Sequence, residues 1–480
     1  MKFLNILILT FCVAIFSSCE NDFESINTNP NDPNEVLPPL LLRQVIYDVG
    51  EEMSYEGFVA GNLLAQHFTM VDFNLFDRHR LSDPQLGGNP WPVLYSNLRD
   101  SDIILNLSRE NNAFAVYEGP ALILKAYMSA MLTDIYGDVP YSEALQGNNN
   151  NTLPAYDQQE AIYTGTQGIF ENLADGISAI ENYNGAFNLE GDILYQGNLE
   201  QWLKLGRSLQ VKYLMRVSNK IDIKSTISTI FDEGNFIQSA IDNATFDFTN
   251  DRPNSFRMQQ LRDGDFNLFV LSETMHDVLT ELNDSRIEVL YRPTGNTNSD
   301  FQGLLNGPDA SATSISVADF SLTGTIFRER TGDLDANFMT SWETLFLLAE
   351  AAARNFISAD AKQLYDQAVE QAHAFWGIEM PENYLTSGPA VYGANGSNPI
   401  EQILTQKWIA NSINGYEGWI EYRRTGFPSL NTIDASLNDN LIPVRMPYPS
   451  DEAALNTDNY NSAIRNNDNS INAPVWWDVD

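Results

Sequence analysis

Apolar residues recur at three- and four-residue intervals along most of the chain from about Leu40 onward, and a helical period sustained that long leaves little room for a sheet-based fold. Ala121 to Tyr136 (ALILKAYMSAMLTDIY) is almost continuously apolar and ends at Gly137, as a helix buried on all sides would. Trp202, Leu205, Leu209 and Tyr213 form another stripe. Lys204, Arg207, Lys212 and Arg216 lie between them and read as a solvated or salt-bridged face rather than an anion site. Asp157 with Glu160 makes a D-x-x-E variant of the capping box, and Ile162, Ile169, Leu173, Ile177 and Ile180 continue one face beyond it. Gly165, Gly168 and Gly176 weaken that helix or mark close packing.

Trp342 to Phe356 and Ala359 to Trp376, separated by Ile357-Ser358, predict an antiparallel helical hairpin with Asp360 in the first turn of its second arm. Asn398 as cap and Pro399 at the first position open a further helix through Ile403, Leu404 and Trp408. The fold class is therefore all-α. No clean 34-residue repeat is present, so any tetratricopeptide-like pairing is degenerate. Asp242 to Thr325 is rich in Asn, Asp, Gly, Ser and Thr, which predicts loops with a few short strands; Pro428 to the end has the same character. Irregular segments on a helical body are where binding usually sits.

The N-terminus carries a different signal. Lys2 precedes a stretch from Phe3 to Phe16 that is apolar but for Asn5 and Thr10, and Ser17-Ser18-Cys19 follows. This is the pattern of a secretory signal over 1–18, with small residues before Cys19 as in a bacterial lipobox, so that Cys19 becomes the lipidated N-terminus of the mature chain. Cys12 and Cys19 are the two cysteines, which leaves no thiol for disulfides, zinc ligation or nucleophilic catalysis. The segment 19–39, acidic and then rich in Asn and Pro, suits a tether, leaving 40–480 as the folded body with 242–330 as its loop-rich part.

The chain carries 64 Asp plus Glu against 27 Lys plus Arg, a formal charge of -37, so nucleic acid is excluded as a partner on long-range electrostatics. No nucleophile elbow, phosphate loop, H-E-x-x-H or dinucleotide fingerprint is present, and His67, His79, His276 and His373 are scattered without metal-ligand spacing. Asp263-Gly264-Asp265 reads as a turn, having too few oxygen ligands for a calcium loop. The expectation is a protein that is not an enzyme and holds no cofactor and no metal.

What remains is aromatic. Most rings, such as Trp202, Phe346, Phe375 and Trp408, fall on core stripes. Trp91 follows Gly87-Gly88-Asn89-Pro90; it either stacks on the C–H face of a sugar or closes the helix that starts at Val93. Phe76-Asp77-Arg78-His79-Arg80 and Tyr291-Arg292-Pro293 mix ring and guanidinium in the same way, which makes Trp91, Phe76, Arg78, Arg80, Tyr291 and Arg292 the candidate binding residues.

Several segments together resemble one family. They are INTNPN at Ile26 to Asn31 behind the lipobox, TDIYGDVPYSEAL at Thr133 to Leu145, GDILYQGNLEQWLKLGRSLQVKYLMRVS at Gly191 to Ser218, LLAEAAAR at Leu347 to Arg354, and GYEGWIEYRRTGFP at Gly415 to Pro428. Pro443-Val444-Arg445, Tyr448-Pro449 and Val475-Trp476-Trp477-Asp478 complete the set. The chain resembles the SusD/RagB family of nutrient-binding outer-membrane lipoproteins of Bacteroidota. That resemblance implies paired tetratricopeptide-like helices, a lipid anchor on the outer membrane facing the cell exterior, and a SusC-like TonB-dependent transporter as partner, to which polysaccharide, oligosaccharide or sometimes peptide is delivered. The Asn-rich, Lys-poor composition is similar to that of marine flavobacteria, which suggests an algal glycan such as laminarin, alginate or ulvan. For an anionic glycan, Arg78, His79, Arg80, Arg292, Arg328 and Arg330 are where counter-charge would gather. A helical polysaccharide lyase or glycosidase and a surface scaffold are the competing classes; the first shortens polymers and the second binds none.

Overall fold

The computed structural model describes residues 36–82, 87–297, 299–312, 314–464 and 469–478. The expected signal peptide, Cys19 and most of the tether lie outside the described residues. The first helix, α1 (Pro38–Glu56), opens with Pro38, whose missing N–H would have no helical partner in any case, and so begins two residues inside the stretch expected as tether. The other helices of ten or more described residues are α2 (Trp91–Glu110), α3 (Glu118–Tyr136), α4 (Ile169–Glu181), α5 (Leu199–Val217), α6 (Lys224–Glu233), α7 (Glu273–Leu282), α8 (Ser341–Ala353), α9 (Ala361–Phe375), α10 (Pro399–Ala410) and α11 (Gly415–Thr425). Strands are short and pair antiparallel in twos: β1 (Phe68–Met70) with β5 (Phe269–Leu271), β2 (Val139–Pro140) with β3 (Tyr156–Asp157), and β4 (Ala244–Asp247) with β6 (Asp335–Met339). The architecture is all-α.

Helix α3 is buried over nearly its whole length, packs against α2 and α4, and ends at Gly137 with φ 84, as its apolar run predicts. Its crossing with α4 is a glycine contact: a Cβ on Gly176 would lie 3.0 Å from the Gly119 carbonyl oxygen, and one on Gly119 would lie 2.8 Å from that of Gly176. Trp202, Leu205, Leu209 and Tyr213 are all buried, and α8 and α9 form the expected hairpin, with Asp360 capping two backbone N–H groups of α9. The capping box at Asp157 does not form. That carboxylate sits on β3 and accepts instead from the N–H groups of Tyr141 and Ser142, and the chain breaks at Gly165 to Gly168 before α4. The segment expected as loops from Asp242 holds a full helix, α7, capped by Ser272, as well as β4 and β5.

The cations of α5 divide between rim and core. Lys204 pairs with Asp242 and Arg207 with Glu181 and Glu233 near the surface. Lys212 and Arg216 are buried and meet carboxylates from three other helices: Arg216 reaches Glu417 at 2.7 Å, Glu421 at 2.5 Å and Asp134 at 3.1 Å, and Lys212 reaches Glu343 at 2.9 Å and Glu417 at 3.1 Å. The salt-bridged reading of that face holds for both, and the solvated one does not.

A candidate ligand-binding face on three laced loops

Helix α1 runs on through a π-helical turn, Gly57–Gly61, which lies backbone against backbone on the start of α11. A Cβ on Gly61 would stand 2.1 Å from the Tyr416 nitrogen, and one on Gly415 would stand 2.1 Å from that of Asn62, so neither position accommodates a side chain. The chain leaves this contact through His67 into β1 and then turns out as the loop 71–82. Asp77, buried within that loop, organises it. Its carboxylate accepts from the Thr69 hydroxyl at 2.7 Å, the Met70 N–H at 3.2 Å, the Asn306 side-chain amide at 2.7 Å and the Gly307 N–H at 2.8 Å. Burial raises its pKa in spite of these four donors.

Those contacts tie the loop to residues 304–312, and a second set ties it to 433–441. Asn74 donates to the carbonyl of Pro308 at 2.7 Å, Arg78 Nε to that of Ala435 at 2.7 Å, and the Leu437 N–H to that of Arg78 at 2.7 Å. The backbone of Asp434 and Ala435 pairs with Asn306 and Gly307. His79, with φ 66, lies against the Leu441 carbonyl at 3.1 Å, and burial lowers its pKa to about 4, so the ring is neutral at pH 7.

On this laced support stands Phe73, 62% exposed. Its backbone is in the left-handed region at φ 50, where a bulky residue carries strain of order 1 kcal/mol or more. Its N–H is held by Asp72 Oδ1 at 2.7 Å. Leu437 and Leu441, also exposed, rise from the third loop among Ser436, Asn438 and Asn440. The 304–312 loop leads back to Phe301 in the wall of an open cleft of about 1000 Å³, which also takes in His276, Glu288 and Met380.

The rings that the sequence offered for binding take other places. Trp91 is the first residue of α2 and is 8% exposed, its ring walled in by Tyr95 at 4.8 Å, Tyr136 at 5.0 Å and Tyr448 at 6.1 Å. It closes the helix, and its ring is not available for stacking. Phe76 and Tyr291 are core as well, Tyr291 with its hydroxyl donated to the His67 carbonyl at 2.6 Å. These rings bury because packing against apolar neighbours removes more area from water than a loop position exposes. Arg78 and Arg80 belong to the laced loops, whereas Arg292 is held elsewhere, by the Thr323 carbonyl at 2.8 Å and Glu329 at 3.1 Å. Arg328 pairs with Asp263 beneath Phe266, Arg262 with Asp265, and Arg330 with Asp333, so the Asp-Gly-Asp turn has its carboxylates taken by guanidinium groups. Phe73 was missed; its signal is a lone aromatic between Asp72 and Asn74, both turn formers, after a three-residue strand.

A family model for SusD-like proteins, described as starch-binding and associating with the outer membrane, matches residues 30–449. The chain belongs to the SusD-like family. Solved structures agree along nearly the full length. A SusD homologue from Bacteroides fragilis is 25% identical with a TM-score of 0.79, over 92% of this chain and 99% of that one. A homologue from Bacteroides vulgatus is 22% identical with a TM-score of 0.76, over 92% and 97%. One from Flavobacterium johnsoniae, described as chitin-binding, is 20% identical with a TM-score of 0.75, over 91% and 98%. No curated protein sequence matches. This SusD-like protein is thus a nutrient- and carbohydrate-binding protein of a family associated with the outer membrane, and no helix among its described residues is long and apolar enough to cross a membrane.

Proposed function

We propose that this SusD-like protein captures polysaccharide or oligosaccharide chains on the face around Phe73 and passes them, uncut, to a SusC-like TonB-dependent transporter. The observation that carries this reading is Phe73 itself: a phenyl ring held out to solvent on strained backbone, over loops laced to one another by hydrogen bonds. A ring in that position offers a flat apolar surface to the C–H face of a sugar, and the serines and amides beside it offer donors and acceptors to hydroxyls. The open cleft lined by Phe301, from which the 304–312 loop leads out, gives room for further units of a long chain.

The anchor belongs to the same proposal. Signal cleavage before Cys19 and acylation of its thiol hold the body on the outer membrane, facing the cell exterior, through the segment 19–39. Mass spectrometry of the protein extracted from membranes tests this part: an N-terminal diacylglyceryl cysteine at position 19 is expected, and an unmodified N-terminus refutes it. Affinity gel electrophoresis of the detergent-solubilised protein tests the binding part. A polysaccharide should retard wild type and leave Phe73→Ala unretarded, with polymer length unchanged after incubation. Shortened polymer would make the protein an enzyme instead.

A further inference from the structure

We infer that the glycan taken by this face is uncharged, and that uronate-rich or sulfated polymers are rejected. The inference rests on the reading of Phe73 as the platform and concerns the charge that surrounds it.

Each arginine that could have met an anionic chain is engaged. Arg78 is spent on the Ala435 carbonyl at 2.7 Å and on Asp309 at 3.8 Å, with its side chain 18% exposed. Arg80 is engaged as well. Arg292, Arg328 and Arg330 stand outside the laced loops and are paired with Glu329, Asp263 and Asp333. His79 is buried, with its ring nitrogen turned to a carbonyl, and supplies no positive charge.

The acids outnumber these cations. Across 71–82, 304–312 and 433–441 the chain has Asp72, Asp77, Asp309, Asp434 and Asp439 against Arg78 and Arg80, so five minus two leaves three net negative charges. Around the cleft the imbalance is larger: Asp284, Glu288, Asp300, Glu379 and Glu382 line it with no Lys or Arg among the lining residues. Asp284 is neutralised by Arg286, but Glu288, Asp300, Glu379 and Glu382 form no ion pair among the described residues. A polyanion bound over the laced loops or in the cleft meets a surplus of like charge at either place, within a protein of formal charge -37. A chain of neutral hydroxyls meets none of that repulsion, and carboxylates are good acceptors for it. The ring of Phe73 favours the same class, because it binds through desolvated C–H groups rather than through charge.

The test runs affinity electrophoresis of the detergent-solubilised full-length protein against a neutral β-glucan, soluble chitin oligosaccharides as competitor, alginate, a sulfated galactan and chitosan oligomers, at 50 and 500 mM NaCl. Phe73→Ala and an Asp434→Asn/Asp439→Asn double variant run alongside, with circular dichroism and melting temperature confirming that each is folded. The expected result is retardation by a neutral polymer, or its loss to a neutral competitor, at an apparent Kd at least tenfold below that for either polyanion, changed less than twofold by salt and abolished in Phe73→Ala. Tight, salt-sensitive binding of alginate or the sulfated galactan that Phe73→Ala also abolishes would overturn the ligand class while leaving the platform in place. Binding of chitosan alone, lost in the double aspartate variant, would overturn it too. No retardation by any polymer, or retardation indifferent to Phe73→Ala, would refute the underlying reading of the face.

Discussion

Arg424 and Glu350 face each other through two parallel hydrogen bonds, Nη1 to Oε1 at 2.9 Å and Nη2 to Oε2 at 2.6 Å, with both side chains essentially removed from solvent. Arg424 also donates to Glu421 at 2.7 Å, and Glu421 in turn accepts from Arg216 and Lys407, so one guanidinium on α11 joins α8 to the ion pairs of α5 and α10. Arg424→Met leaves two buried carboxylates short of a partner. Such a loss costs about 3–5 kcal/mol, far more than the pair contributes over an apolar replacement of both ends. The urea midpoint of Arg424→Met should therefore fall sharply, that of Arg424→Met/Glu350→Met should recover part of the loss, and that of Arg330→Met, which breaks only an exposed pair, should not move.

Helix stripes were legible because a helix that buries one face must repeat its apolar residues at its own period; Trp202 to Tyr213 and the α8–α9 hairpin are of this kind. The fate of a charge was not. Lys212 and Arg216 look like Lys204 and Arg207 in the sequence, and it is the approach of Asp134 on α3, Glu343 on α8 and Glu417 and Glu421 on α11 that separates buried pairs from surface ones. The same holds for rings. Trp91 beside Gly88 and Pro90 has the local signature of a loop, but its burial draws on Tyr448, more than three hundred positions away; among the described residues no ring lies against Phe73, which stays in solvent. The rings expected to bind, Trp91, Phe76 and Tyr291, were core because ring type and turn context are local properties, while exposure is settled by contacts of long sequence separation.

Glu56 sits at the end of α1, buried, accepting from the Gly88 N–H at 2.5 Å and the Tyr416 hydroxyl at 3.3 Å. Burial pushes its pKa up to about 7 in spite of these donors. A carboxyl raised in the folded state contributes stability that is complete below its unfolded value of 4.5 and is lost as pH rises through 7. His67, lowered by burial to about 3, and His79, lowered to about 4, act in the opposite sense, withdrawing stability as pH falls from their ordinary 6.5, so the wild type does not show the Glu56 effect by itself between 4.5 and 6.5. Glu56→Gln isolates the first. Relative to wild type, the variant should gain stability as pH is raised from 4.5 to 8, by about 3 kcal/mol at most at 1.36 kcal/mol per unit, and the difference should be flat outside that window. Paired chemical denaturation curves across this range check it; a constant offset would mean that Glu56 titrates normally.

Below pH 4.5 another group takes over. Burial alone would raise Glu417, but the charges of Arg216, Lys212 and Lys407 outweigh it and bring the carboxyl to about 2. Its contribution is present above its unfolded value of 4.5 and disappears as pH falls toward 2, in the same direction as His67. Acid unfolding followed by tryptophan fluorescence should therefore begin below pH 4.5 and be steep. Glu417→Gln should be less stable than wild type at pH 7, with the gap closing as pH 2 is approached.

Phe73 and Trp91 should separate function from stability. Phe73→Ala removes an exposed ring, keeps the Cβ that makes the left-handed backbone costly and leaves the hydrogen bonds of its loop in place, so the melting temperature should hold while glycan retardation is lost. Trp91→Ala opens a cavity among Tyr95, Tyr136 and Tyr448 and should cost about 3–5 kcal/mol, with binding per folded molecule unchanged. Calorimetry and gel retardation on both variants decide the matter, and a stable Trp91→Ala that fails to bind would place the platform at Trp91 after all.

Asp77 tests whether the lacing itself matters. Its four donors come from β1 and from the 304–312 loop, so Asp77→Ala leaves the Thr69 hydroxyl, the Asn306 amide and the N–H groups of Met70 and Gly307 short of a partner beneath Phe73. Stranded buried donors cost about 1–3 kcal/mol each when water cannot reach them, and less once the loop moves to admit it. Loop movement lowers that cost at the expense of the φ 50 conformation that holds the ring out. Asp77→Asn is the milder change, since the amide keeps one acceptor and adds donors where donors already point inward. Both variants should lose glycan affinity, Asp77→Ala by tenfold or more, with Asp77→Asn between it and wild type, and hydrogen exchange should rise in 71–82, 304–312 and 433–441 while α3 and α5 stay protected. Full affinity in an Asp77→Ala protein with faster exchange in those loops would mean that Phe73 binds its sugar without the support beneath it.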